Sequence, residues 1–144
     1  MKNVTRRFFC LIIALCVLSV MTTAFARSSL TLSAYSAGCA AKSDGKIAIW
    51  IDVIGTYPRM DKIGSDAIYL YESTDGKRFT RVAIFEPEDY PAMLTTNTIS
   101  YYKTVATYQG IPGRYYSATV YCYAEKDGVS DSKPYETASV QAIS

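Results

Sequence analysis

Three Asp-Gly pairs, Asp44-Gly45, Asp75-Gly76 and Asp127-Gly128, separate segments in which apolar and polar residues alternate. Asp tolerates the positive φ that Gly prefers, so an Asp-Gly pair between alternating runs marks a tight reversal between antiparallel strands. The runs have the period of a strand: Ile47, Ile49, Ile51 and Val53 share one face, Ile68 and Leu70 share another, and Tyr116, Ala118, Val120, Cys122 and Ala124 a third. No segment after residue 26 repeats at helical spacing between proper caps. A chain patterned this way buries one face of each strand against another sheet.

The spacing predicts strands over about 30–41, 46–54, 67–73, 78–85, 98–108, 115–126 and 133–142. About seven short strands with turn signals between them indicate an all-β fold, an antiparallel β-sandwich. In the first strand Leu30, Leu32 and Ala34 point one way while Cys39 has the opposite parity, which calls for a bulge near Ala37-Gly38. Residues 55–64 and 86–97 read as the longer loops, carrying Pro58, Pro87 and Pro91, which cannot donate to a sheet ladder. Ile111-Pro112-Gly113 reads as a compact turn into the strand that holds Tyr115 and Tyr116.

The N-terminus sets the compartment. Lys2, Arg6 and Arg7 form a basic start, residues 8–21 an apolar run, and Ala24-Phe25-Ala26 supplies the small residues signal peptidase accepts. Residues 1–26 are therefore expected to be a signal peptide and 27–144 a single domain. The apolar run is shorter than the ~20 residues a permanent spanning helix needs, so release outside the cell with no lasting membrane anchor is expected. The chain has 15 Lys+Arg against 13 Asp+Glu, and losing three cations with the leader leaves a formal charge of about −1. Without a basic run the electrostatic footprint of nucleic-acid binding is missing.

Cys10 and Cys16 fall in the leader, leaving Cys39 and Cys122. In an exported chain such a pair reads as a disulfide, here closing a loop of about 80 residues and contributing about 4 kcal/mol on the chain-entropy account. Two free thiols are the alternative. With no histidine in the chain, two thiols fall short of a zinc site.

The runs Gly113-Arg114-Tyr115-Tyr116-Ser117-Ala118-Thr119-Val120, Tyr123-Ala124-Glu125-Lys126-Asp127-Gly128 and Ser130-Asp131-Ser132 resemble the end of a fibronectin type III-like or immunoglobulin-like domain. There a corner tyrosine precedes an alternating strand and a glycine hairpin. With Met60-Asp61-Lys62-Ile63-Gly64 and Ile68-Tyr69-Leu70-Tyr71-Glu72-Ser73 included, most of residues 27–144 resembles a family of small secreted proteins of unknown function, mostly from Gram-positive bacteria. The resemblance implies the sandwich and brings no catalytic residues with it. Trp50 departs from the fibronectin pattern, being out of phase with Ile49 and Ile51 and so off the core side.

The 13 tyrosines are unevenly placed. Tyr69 and Tyr71 oppose the Ile68/Leu70 face, and Tyr115, Tyr121 and Tyr123 oppose the Val120/Cys122 face of a strand that neighbours theirs in this architecture. They are expected to form one outward aromatic plate of the kind that stacks on sugars or anchors a protein partner. Cross-strand tyrosine ladders that only stabilise a solvated sheet face are the plainer account. Trp50, with Asp52 on its side of the strand, is a lesser candidate of the same kind.

Glu86, Glu88 and Asp89 match no calcium-loop spacing and read as a solvated acidic loop, so no metal site is assigned. Lack of histidine removes the common general base and the usual partner of a Ser or Cys nucleophile, and the carboxylates are scattered at turns and strand ends. No catalytic residue and no cofactor is assigned. Arg59, after Tyr57-Pro58, is the feature that suggests protease inhibition, and exposed loop arginines are ordinary. The expectation is a secreted, non-catalytic module binding an extracellular polysaccharide or protein through Tyr69, Tyr71, Tyr121 and Tyr123, with Trp50 secondary. A purely structural protein that self-associates through an unpaired sheet edge is the runner-up. A small hydrolase or inhibitor ranks below both, and oligomeric state is not legible.

Overall fold

The structure, a computed structural model, describes residues 29–144. The expected leader, with Cys10, Cys16 and the cut after Ala26, lies outside the described residues. In chain order the strands are β1 (Leu32–Ala41), β2 (Lys46–Gly55), β3 (Lys62–Ser73), β4 (Thr80–Phe85), β5 (Leu94–Thr95), β6 (Ser100–Gln109), β7 (Tyr115–Lys126), β8 (Val129–Glu136) and β9 (Val140–Gln141). One sheet is ordered β1-β2-β6 and the other β4-β3-β7-β8, with β5 added to β3 and β9 to β7. Every pairing is antiparallel, and the two sheets pack face to face as a β-sandwich.

The alternating residues make the core. Ile47, Ile49, Ile51 and Val53 of β2 meet Ile63, Ile68 and Leu70 of β3 and Tyr116, Ala118, Val120, Cys122 and Ala124 of β7, all buried. Met60 and Met93 enter from the two longer loops and are fully buried. Flexible thioether side chains suit such irregular gaps at the rim of a sandwich. Among the described residues no buried side-chain nitrogen or oxygen lacks a hydrogen-bond partner.

All three Asp-Gly pairs sit between consecutive strands. Asp127 and Gly128, at φ 51° and 77°, make a two-residue turn that carries β7 directly into β8. Asp44 and Gly45 also have positive φ, in a single 3-10 turn. At the third, Asp75 Oδ1 accepts from the backbone N–H groups of Lys77 (2.8 Å) and Arg78 (2.9 Å), so the side chain shapes the loop.

Several expectations need correction. The parity of β1 is reset between Leu32 and Ala34, earlier than Ala37-Gly38, which turns Ala37 and Cys39 toward the core opposite Ile51 and Ile49. β3 begins at Lys62 rather than 67, because a register shift between Ser65 and Ala67 absorbs Asp66 as a bulge and lets the ladder run through. The strand expected over 133–142 is instead β8, which starts at Val129 directly after the turn and ends at Glu136, and the separate β9. Thr137 then leaves the ladder, donating its N–H to Ala118 O and accepting from Ala118 N at its hydroxyl, both at 2.9 Å.

Cys39 and Cys122 are free thiols, so the expected disulfide is not made. The cause is the relative register of the two sheets. Cys39 Sγ lies 3.5 Å from Thr137 Oγ1, which is bonded to Ala118 N, so Cys39 packs at the level of Ala118. Cys122 stands four residues further along β7, about 13 Å at the rise of a strand. A disulfide needs Cα atoms within about 7 Å. Burial, with the Asp66 carboxylate adding to it, pushes the Cys122 thiol up to about 12, and burial also raises Cys39.

Candidate functional site

The outer face of the four-strand layer is built by parity alone. Tyr69 and Tyr71 alternate with buried Ile68 and Leu70 on β3, and Tyr121 and Tyr123 alternate with buried Val120, Cys122 and Ala124 on β7. Because Tyr69 lies opposite Thr119 and Tyr121 opposite Ala67, the two tyrosines are diagonal neighbours across the ladder. Their rings meet edge to face, with centroids 5.5 Å apart and planes at 68°. From β4, the Arg81 guanidinium lies over the Tyr69 ring at 5.4 Å. Ile84, opposite Tyr69 on β4 and 47% exposed, extends this apolar centre outward.

Tyr71 and Tyr123 stand at opposite ends of the face, each in an open groove. Tyr71, opposite Ser117, lines a groove of about 290 Å³ with Phe79, Thr119 and Glu136. Tyr123, opposite Gly64, lines one of about 380 Å³ with Lys62, Asp66, Glu86 and Glu88. Its hydroxyl donates to Glu125 Oε2 at 2.6 Å, and burial together with that carboxylate holds the phenol above its ordinary range. Asp66, on the β3 bulge, accepts from Ser132 Oγ at 3.0 Å, yet desolvation raises its carboxyl. A saccharide on this face would therefore find a central aromatic pair, a tyrosine with the Glu136 carboxylate at one end, and a tyrosine with three carboxylates at the other, each able to accept from hydroxyls.

Trp50 is not on this face. It projects from the outer side of the three-stranded sheet, 6.0 Å from Tyr102, so the five candidate residues form two surfaces on opposite sides of the molecule. Tyr115 belongs to the tyrosine face, but its ring packs beside Gly76. Glu86 and Glu88 join the Tyr123 groove, while Asp89 donates its backbone N–H to Glu86 O and is exposed. Among the described residues no group of three or more His, Cys, Asp or Glu side chains could hold a metal ion. Arg59 is exposed on the loop between β2 and β3.

Sequence reasoning missed Asp66, Phe79 and Glu136 as groove residues. The Gly64-Ser65-Asp66 run inside an alternating pattern was the readable sign of the bulge that presents Asp66. It also missed Glu72 as the partner of Tyr116. Fully buried Tyr116 accepts from Ile111 N at 2.9 Å and donates to Glu72 Oε2 at 2.5 Å, while Arg114 donates to Glu72 Oε1. Burial and the Glu72 carboxylate push Tyr116 up to about 12, and the bonds from Tyr116 and Arg114 hold Glu72 below the ordinary carboxylate range. This network locks the start of β7 to the end of β3.

Comparison of the chain with protein-family models, with curated proteins and with solved structures finds no match.

Proposed function

We propose that the protein is a secreted, non-catalytic, fibronectin type III-like module that binds an extracellular polysaccharide through the tyrosine face of its four-strand layer. The strand order, β1-β2-β6 against β4-β3-β7-β8, and the hydrogen bond from Ile111 N to the Tyr116 hydroxyl support the fibronectin type III-like assignment. The basic, apolar and small-residue order of residues 1–26 supports export. One observation carries the binding reading: the Tyr69–Tyr121 pair at 5.5 Å lies between two open grooves, each lined by another tyrosine. Tyrosine offers a large, rigid contact area at small entropic cost, with a hydroxyl at its tip. Two thiols held protonated by burial and the absence of histidine favour binding over nucleophilic chemistry.

The test is a glycan array probed with the wild type and with a variant carrying Tyr69→Ser, Tyr71→Ser, Tyr121→Ser and Tyr123→Ser. Selective binding by the wild type that the variant loses, with an unchanged circular dichroism spectrum, supports the reading. Equal signals from both proteins end it, and a silent array with a defined extracellular protein bound through the same four residues transfers the face to a protein partner.

A further inference from the structure

Trp50 is the one tryptophan in the chain, and it sits where a side chain has little to hold it down except a glycine. Its cross-strand neighbour on β1 is Gly38. A Cβ at position 38 would stand 2.4 Å from Trp50 Cζ2 and 2.6 Å from Nε1, so the indole lies across the bare backbone of β1. Any larger residue would lift the ring off the sheet. The ring remains half-buried rather than covered, and its N–H has no hydrogen-bond partner among the described residues. Beside it Tyr102 is 73% exposed, the most exposed large apolar side chain among the described residues, with ring planes 49° apart.

The surroundings decide what this surface can take. The other cross-strand neighbour of Trp50 is Thr104, and Asp52, two residues along β2, lies between Ser36 and Tyr102. Asp52 is the one charged group among these neighbours, and no Lys or Arg is among them, which disfavours polyanions and anionic membranes. Hydroxyls, one carboxylate acceptor and an unpartnered indole N–H around two aromatic rings match a neutral polyhydroxylated chain. Pyranoses whose hydroxyls are equatorial collect their C–H bonds on flat faces, and those faces stack on aromatic rings.

We propose that Trp50, seated on Gly38, and Tyr102 beside it form a second saccharide-binding surface on the three-stranded sheet, selective for neutral glycans with equatorial hydroxyls. It is independent of the tyrosine face, which lies on the other side of the sandwich.

Because Trp50 is the only tryptophan, its emission reads this surface directly. Titration of the folded protein with cellohexaose and with chitohexaose is expected to shift or quench the emission saturably with at least one of them. Tyr102→Ala, at a solvent-exposed site, is expected to weaken that binding about tenfold, whereas Tyr69→Ser with Tyr121→Ser leaves it unchanged. Trp50→Phe keeps a ring over Gly38 and serves as a second variant, its weakened binding read by calorimetry. An emission unmoved by either saccharide up to millimolar concentration, or an equal response in the Tyr102→Ala protein, overturns the proposal. A negative result here with a positive array, lost in the tyrosine-face variant, overturns this surface and leaves the other standing.

Discussion

Tyr116 concentrates two obligations in one phenol oxygen, accepting from Ile111 N and donating to Glu72 Oε2. Tyr116→Phe keeps the ring against Gly110 and Tyr108 but takes the acceptor from Ile111 N and leaves Glu72 with the Arg114 bond, so urea denaturation is expected to register a loss of about 1–2 kcal/mol. Asp66 behaves in the opposite sense. Its carboxyl is raised by desolvation, so ionisation costs more in the folded than in the unfolded state, and the penalty grows as pH rises from the unfolded value through the folded one. Asp66→Asn keeps an acceptor for Ser132 and is expected to raise the melting temperature at pH 7, with the gain gone below the ordinary aspartate value of 3.8. Glu72 is lowered, so its contribution is present above its unfolded value of 4.5 and is lost as pH falls through the folded one. Cys39 on β1 and Cys122 on β7, held apart by the relative register of the two sheets, are both expected to react with a thiol reagent once the purified protein is denatured without reductant.

At the scale of elements, the strands with the longest unbroken alternation were legible. β7 runs over 115–126 as its pattern predicts, and β2 over 46–55 against an expected 46–54, because four or five inward apolar residues leave one register that buries them all. The misses share one physical source. Where the bulge of β1 falls, how far back β3 extends past its own bulge and where β9 separates are set by what the neighbouring strand offers, and local pattern signals a break in parity without fixing its place. The cysteine pair failed for the same reason, since sheet-to-sheet register decides whether two inward sulfurs meet. Gly64 shows how tightly such a crossing is made. At φ 147° it lies under the segment leading to β5, and a Cβ there would stand 2.0 Å from Met93 O. Gly64→Ala therefore combines backbone strain with a clash against backbone, and is expected to cost more than about 2 kcal/mol by chemical denaturation.

For the whole molecule, the tyrosine face was legible because parity sends Tyr69, Tyr71, Tyr121 and Tyr123 outward once Ile68 and Val120 go inward. The pairing of Tyr69 with Tyr121, and the retreat of Tyr71 and Tyr123 into separate grooves, came from the ladder register and the bulge at Asp66. Trp50 was correctly read as off the core, but strand parity says nothing of which sheet carries β2. Its placement gives the sandwich aromatic rings on both outer surfaces, so a protein using both would tie two glycan chains together. The most direct measurement of saccharide binding is affinity electrophoresis in native gels cast with soluble polysaccharides such as hydroxyethylcellulose, xylan and glycol chitin. Retardation of the wild type in at least one gel, with the four-fold tyrosine variant running markedly faster there, is the predicted result. Equal mobility of the two proteins in every gel would contradict it.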